Sequence, residues 1–445
     1  MRFLFLCLIV DVLLFFNSNA FSQDIPDGNS LMDRINRNFT IEGTGGSGIF
    51  QVASLIKVGI SPWNLASGDF DRDGHIDLAV PNYNSGSVSI LHNDGTGSFT
   101  VMDSLIVGGG PRIVGVADID GDNYPDIIVP VSYINTVQVW KNDGAGNFLN
   151  TFAVSTYREP AGITLNDFNG DAKVDFAICN VNNNRISLFL NIGDGTFTSE
   201  IIVGYAGYSP LSIKSGDFDR DGDIDLAVPN KYSSDVYIYL NDGTGQFSHT
   251  TTAPLPNWVN DITIGDWDSD GDLDIAASLD RDSRLSILKN NGYGIFEVSS
   301  NPIVGNNPYG VISGDWDGNG ILDLAVAAIG SNWNETTISI LLNDGQGNFV
   351  RTSNPGTEGT APAGIVGGDW DNDGDIDLAI TNIVSNTVTI LINQNRYEYV
   401  VIDIKPGSFP NSINCLNQNG VIPVAILKTP GFDARTVDHA TVRFG

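Results

Sequence analysis

A nine-residue aspartate-rich segment recurs seven times in this chain, starting at Asp69, Asp118, Asp167, Asp217, Asp266, Asp315 and Asp369. Successive starts lie 49, 49, 50, 49, 49 and 54 residues apart. Seven copies at one period restrict the chain to a single structural unit built seven times. The first unit shows what that unit is. Asn64 to Gly68 reads as a strand, and the aspartate loop Asp69–Asp77 follows it. Leu78-Ala79-Val80 continues as a second strand, Asn82 to Ser87 as a polar turn, and Val88 to Leu91 as a third strand with period-2 character. Asn93-Asp94-Gly95-Thr96-Gly97 supplies turn residues that tolerate positive φ, and Phe99 to Val107 makes a fourth strand. No segment sustains a 3.6-residue period, which disfavours a βα repeat. Four short antiparallel strands per unit make one propeller blade. The expected fold class is therefore all-β, a seven-bladed β-propeller of four-stranded antiparallel blades.

Other columns hold the same register. Proline stands seven residues before the loop start at Pro62, Pro111, Pro160, Pro210, Pro308 and Pro362, and only Val259 breaks the series. The seventh unit ends at Asn393-Gln394-Asn395-Arg396 without the Gly-x-Phe that opens a fourth strand. That signature stands instead before the first unit, at Gly48-Ile49-Phe50. Residues 48–58 are thus expected to complete blade seven and remove the open sheet edge. The propeller should span 48–395.

The loops read D-x-[DN]-x-[DN]-G-x-x-D in most copies. So many carboxylates in nine residues repel one another unless a cation lies among them. Oxygen donors at loop positions 1, 3, 5 and 9, with a backbone carbonyl at 7, suit Ca2+ better than Mg2+, which demands a small octahedral site. The expected ligands are Asp69, Asp71, Asp73 and Asp77 in the first loop and Asp118, Asp120, Asp122 and Asp126 in the second. The third offers Asp167, Asn169, Asp171 and Asp175, and the fourth Asp217, Asp219, Asp221 and Asp225. Asp266, Asp268, Asp270 and Asp274 follow in the fifth, then Asp315, Asp317, Asn319 and Asp323 in the sixth. Asp369, Asp371, Asp373 and Asp377 close the series. An EF-hand is excluded, because Val80 and Val129 stand where its bidentate Glu would be and a strand follows. The apolar residue at position 8 should anchor each loop to the core, and Phe or Trp at position 2 should be core. The third loop, with Asn169 and with Ala172 in place of Gly, should bind most weakly. Up to seven structural Ca2+ are expected.

These loops, with Gly97-Ser98-Phe99 and Gly109-Gly110-Pro111 beside them, resemble FG-GAP/VCBS repeats, found in integrin α-subunit propellers and many secreted bacterial proteins. The resemblance covers roughly 48–395. It implies a seven-bladed propeller with Ca2+ between the first and second strands of each blade, and only loosely implies adhesion or ligand binding.

The charge agrees. Lys plus Arg number 22 and Asp plus Glu 53, a formal net charge of −31 that disfavours nucleic acid as a partner. Seven Ca2+ would add +14 and leave −17. Arg2, the apolar stretch Phe3 to Phe16 and Ser18-Asn19-Ala20 read as a cleaved secretion signal over 1–20, with a linker over 21–47. A membrane anchor is the competing reading, but the stretch is short and holds Asp11. No other segment approaches transmembrane length, so a secreted or cell-surface location is expected. Residues 396–445 read as a small β-rich module of the kind appended to bacterial secreted proteins. It stops just after a strand at Phe444-Gly445, as a truncated module would. Of the cysteines, Cys7 leaves with the signal and Cys179 reads as a buried residue. A Cys179–Cys415 bridge is open but would be no disulfide framework.

Ligand recognition is expected on the face opposite the loops, where the hairpins between second and third strands meet the connections between blades. Trp63, Tyr83, Tyr133, Tyr157, Tyr208, Tyr232, Trp258, Tyr309 and Trp333 gather there, Trp333 on the long loop Ala328 to Thr337. Aromatic rings beside Asn and Ser suit sugar or protein recognition; packing between blades is the plainer role. The expected function is a non-catalytic binding or adhesion module, a monomeric propeller for extracellular carbohydrate or protein. A polysaccharide lyase or hydrolase, with a pair such as Glu159 and Glu335, is the alternative, as is a purely structural surface protein. His75, His92, His249 and His439 read as turn or tail residues.

Overall fold

The computed structural model describes residues 49–394 and one short strand pair, Asp403–Ile404 with Ile413–Asn414. The signal, the linker, Cys7, Cys415, His439 and most of the C-terminal module lie outside the described residues. Residues 49–394 form seven four-stranded antiparallel sheets. Blade one consists of Ala66–Gly68, Asp77–Asn82, Ser87–Asn93 and Phe99–Ile106. Blade seven takes Pro362–Gly368, Asp377–Asn382 and Thr387–Asn393 from the end of the ring and Phe50–Lys57 from its beginning. Phe50 pairs with Asn393 and Lys57 with Thr387, so the N-terminal strand closes the ring. Among the described residues no helix is long and apolar enough to cross a membrane.

The core lies in the seams between blades. Each seam centres on the residue at loop position 2. Phe70, Ile119, Phe168, Phe218, Trp267, Trp316 and Trp370 each occupy a different apolar cluster, every one of them fully or almost fully buried. Most meet the phenylalanine that opens a fourth strand across the seam. Phe70–Phe148, Phe168–Phe247, Phe218–Phe296, Trp267–Phe349 and Trp370–Phe99 lie with ring centroids 5.4–5.9 Å apart, all edge-on. Phe50 reaches Trp316 at 6.3 Å and so takes the place of the missing phenylalanine in blade seven. Edge-on pairs add about 0.5–1.5 kcal/mol each beyond area burial.

The apolar residue at position 8 packs half-buried against the core, as Ile76, Ile224, Leu273 and Ile376 do, except that Leu322 is 36 % exposed. Position 2 and the aspartate at position 9 are more deeply buried and anchor the loop further. In the turn after the third strand, positive φ is borne by the glycines, such as Gly95 and Gly97, as that turn's composition implies. Cys179 is buried and free, and burial pushes its thiol up to about 12.

Candidate metal centres and the opposite mouth

The seven loops share one hydrogen-bond plan. Position 1 accepts the N–H of position 6 through Oδ2, from Gly74 to Asp69 at 3.2 Å through to Gly374 to Asp369 at 3.1 Å. Position 5 accepts the N–H of position 7, as from His75 to Asp73 at 2.9 Å. Position 1 is tied through its second oxygen as well in five loops, where Oδ1 accepts a further backbone N–H, and Oδ1 is left without a partner only at Asp69 and Asp266. The backbone turns left-handed twice, at positions 4 and 6. Position 6 is Gly except at Asn123 (φ 66°) and Ala172 (φ 64°), while position 4 carries Arg72, Arg220, Ser269 and Asn372 at φ 59–64°. The second left-handed position escaped the sequence reading because glycine marks it in only three loops.

Position 9 has a different environment. Its Oδ2 accepts the position-2 N–H, from Phe70 to Asp77 at 2.9 Å, and its Oδ1 accepts the N–H of the asparagine after the third strand, from Asn93 at 2.9 Å. The same second bond recurs in every blade. Burial raises these carboxyls, to about 6 at Asp77, Asp126 and Asp175 and about 7 at Asp225, Asp274, Asp323 and Asp377. The backbone donors oppose the shift but do not cancel it.

Several loop oxygens are buried and lack a hydrogen-bond partner: Oδ1 of Asp69, Asp120, Asp266, Asp268 and Asp371. Carboxylate oxygens of Asp69, Asp71 and Asp73 lie within 4.8 Å of one another, as do those of Asp118, Asp120 and Asp122, of Asp217, Asp219 and Asp225, and of Asp266, Asp268 and Asp270. Desolvated acceptors this close, with no donor to satisfy them, fit a hard oxygen-liganded dication such as Ca2+.

The loops are not equivalent. The residue preceding the seam asparagine is apolar in four blades but is His92, Lys141 and Lys289 in the others. Lys141 Nζ lies 2.9 Å from Asp120 Oδ2, Lys289 Nζ 2.6 Å from Asp268 Oδ2, and His92 Nδ1 3.0 Å from Asp71 Oδ2. His92 is therefore a loop neighbour, not a turn residue. Lys173, within the third loop, pairs with Asp171 at 2.8 Å.

A residue class missed in the sequence ties the loops together. Asn93, Asn142, Asn191, Asn241, Asn290, Asn343 and Asn393 each donate Nδ2–H to the position-2 carbonyl of the preceding blade and to the position-8 carbonyl of their own. Distances to the preceding blade are 2.8–3.0 Å. Their seven-fold recurrence was visible, but Asn before Asp-Gly reads equally well as a turn former.

On the opposite face, eight of the nine expected aromatics fall into two groups of touching rings. Tyr133, Tyr83, Trp63, Tyr309 and Trp333 form one, in which Tyr83 meets Tyr133 and Trp63 meets Tyr83, Tyr309 and Trp333, with centroids 5.1–6.5 Å apart. Tyr208, Tyr232 and Trp258 form the other, at 5.5 and 4.8 Å. Tyr157 stands apart under Arg185, 4.5 Å from its ring. Trp63, Tyr208, Tyr232, Tyr309 and Trp333 line a cavity of about 750 Å³ at the mouth of the central channel. Trp63 lies over Ala361 and Ala363 of blade seven, small residues that let it reach blade six. Five of the aromatics, Tyr133, Tyr157, Tyr208, Tyr232 and Trp333, are exposed, so these are not simply seam residues. Glu159 lines the same cavity, whereas Glu335 does not and accepts a hydrogen bond from Thr337 at 3.0 Å. The structure does not bring this pair into one cavity.

The FG-GAP-like repeat matches the chain over 69–129, 118–178, 167–228, 217–277, 266–326 and 315–380. Each match runs from one aspartate loop past the next, so six matches bracket seven loops. Among curated proteins, none matches the chain by sequence. A structure of BBS1N in complex with ARL6DN is similar at TM-score 0.57 and 12 % identity, covering 79 % of this chain and 99 % of that one. A streptogramin B lyase is similar at TM-score 0.53 and 16 % identity, over 77 % and 97 % of the two chains. A virginiamycin B lyase from Staphylococcus aureus follows at TM-score 0.50 and 15 % identity, over 76 % and 98 %. At these identities the likeness concerns the propeller fold alone.

Proposed function

The chain belongs to the FG-GAP-like repeat family, and from that premise we propose that it is a secreted, calcium-loaded propeller that binds carbohydrate or protein without catalysing a reaction. The observation that carries the binding reading is the pair of aromatic groups around the cavity at the channel mouth. Rings held by a rigid blade scaffold, beside Asn and Ser, suit sugars and protein side chains alike. Secretion rests on the signal-like segment over 1–20. Calcium rests on the orphaned loop oxygens and the oxygen-only donor set. Asp69 and its counterparts would hold the ion, which would act as a structural crosslink in each loop. Against catalysis, the described carboxylates of the cavity are Glu159 and Asp280, and Asp280 is paired with Lys231 at 2.8 Å. That leaves no pair of free acids for glycoside hydrolysis.

The test is thermal unfolding of residues 21–445 in excess Ca2+ and in chelator, followed by glycan-array screening of the calcium form. A large calcium-dependent rise in midpoint is expected, because an ion that binds only the folded chain stabilises it. An unchanged midpoint would remove calcium from the proposal. Retention of a glycan or protein ligand without turnover is expected, and cleavage of a retained saccharide would transfer the chain to the lyases or hydrolases.

A further inference from the structure

We propose that the channel mouth recognises a carboxylate-bearing sugar, a uronate unit of an acidic polysaccharide, with Arg112 as the anion-binding group. The inference deepens the carbohydrate-binding reading above and rests on it.

The seven-fold repeat supplies an internal control for Arg112. It follows the column proline, and at the equivalent position the other blades carry Trp63, Ala161, Leu211, Asn260, Tyr309 and Ala363. All seven line the channel. The scaffold is built six times without a charge there, so the guanidinium is not a requirement of the blade. It is half-buried, with Cζ 4.8 Å from the Trp63 ring and 5.5 Å from the Tyr83 ring. Among the described residues no ion pair involves Arg112. A guanidinium fixed against two rings keeps its planar fork ordered, and that fork matches a carboxylate with two parallel hydrogen bonds.

The rest of the cavity agrees in sign and kind. Its charged residues are Arg112, Lys231 and Arg281 against Glu159 and Asp280, a local excess of one positive charge in a chain of net −31. Lys231 is consumed by Asp280 and by Asn260 Oδ1, both at 2.8 Å. Arg281 is exposed and lies 4.1 Å from the Trp258 ring, so it is a second cation at the rim. Trp333 is exposed and offers an apolar face to the C–H side of a sugar ring, with Trp63 edge-on to it at 90°. Asn182, Asn307, Ser331 and Glu159 supply partners for hydroxyls. Glu159 holds a left-handed backbone at φ 59°, fixed by a hydrogen bond from its N–H to Asn135 Oδ1 at 2.9 Å. A carboxylate group and a ring of hydroxyls on one small unit describe a uronate.

Isothermal titration calorimetry of the calcium-loaded full chain decides it with four probes: trigalacturonate, its neutral methyl ester, galactotriose and an aspartate-rich peptide. Trigalacturonate should bind about tenfold or more tightly than either neutral sugar, the difference expected of a charge-assisted pair. Arg112→Gln should abolish that preference, so that charged and neutral sugars bind alike, and Arg112→Lys should restore only part of it. Equal binding of all three sugars, or a preference that survives in Arg112→Gln, overturns the inference and leaves carbohydrate binding intact. Binding of an aspartate-rich peptide but no sugar overturns it and leaves only the protein-ligand reading. Binding of none removes both. Should Arg112→Gln fail to fold, the ester comparison still decides, because it removes the charge from the ligand and leaves the protein untouched.

Discussion

Replacing Asn290 with alanine tests the seam stitch at one blade. Its Nδ2 donates to Phe218 O at 2.8 Å in blade four's loop and to Leu273 O at 3.2 Å in its own. Its Oδ1 accepts the Gly292 N–H at 3.3 Å. The side chain is almost fully buried. Truncation removes two donor bonds worth about 1 kcal/mol each. Phe218 O keeps the Gly294 N–H at 2.9 Å, so it is not orphaned. Leu273 O loses its side-chain donor in a partly buried place, which adds about 1–2 kcal/mol. The expected loss is about 3–4 kcal/mol. Guanidinium unfolding at saturating calcium, followed by the fluorescence of the buried Trp267, Trp316 and Trp370, reads it as a shift in midpoint at constant slope. Asn290→Asp separates stitch from turn: it keeps the oxygen that accepts Gly292 and loses both donors. It should be at least as damaging as alanine, because a carboxylate would then face two carbonyls. A loss below about 0.5 kcal/mol for alanine, or a neutral Asn290→Asp, would reduce this residue to a turn former.

In chelator, the protein should become less stable as pH rises from about 5 to about 8. The position-9 carboxyls sit at about 6 to 7 when folded and at about 3.9 when unfolded, so their contribution is complete below the unfolded value and is lost as pH climbs through the folded one. Differential scanning calorimetry with and without Ca2+ checks this, and the ion should flatten the slope. Lys141→Met removes an ammonium 2.9 Å from Asp120 and should tighten calcium at the second loop by on the order of fivefold, read by terbium luminescence. A weaker site would show that the lysine orients the carboxylate instead. Ala172→Gly relieves a non-glycine residue at φ 64° and should stabilise the chain by about 1 kcal/mol, measured by denaturant unfolding; no gain would mean that the third loop relaxes around the alanine.

The repeat made the architecture legible because each blade carries its own turn chemistry in phase. The number and order of strands, the closure by Phe50–Lys57 and the core role of position 2 all follow from columns of like residues. The loop positions were legible for the same reason, yet their partners were not. Nothing in the order of residues shows that Asn142 reaches Phe70 O, 72 residues away, because adjacency of blades exists only once the ring is closed. Differences between loops were partly hidden as well. Lys141 and Lys289 lie on a strand outside the nine-residue pattern and meet their loops only through the sheet. At the mouth, composition located the aromatic face, but one charged residue among seven equivalents becomes conspicuous only when those equivalents are seen to share a channel.

The stitch changes how a bound ion would act. Each loop's position-2 side chain fills the seam with the next blade, and its position-2 carbonyl receives that blade's asparagine. Position 9 of the same loop holds its own blade's turn. A loop stiffened by Ca2+ therefore fixes groups on both sides of a seam, so the ion's effect is shared between blades. In an open repeat array the end units would fray first. Here the seam between blades seven and one carries the same asparagine stitch as every other: Asn93 to Trp370 O at 3.0 Å, joined by the Gly97 N–H to the same carbonyl at 2.9 Å and by Phe99 against Trp370. A ring closed by a stitched seam has no open end from which to fray. Calcium loading spread over such seams should therefore raise one cooperative transition, whereas blade-by-blade loss of ions would split it into steps.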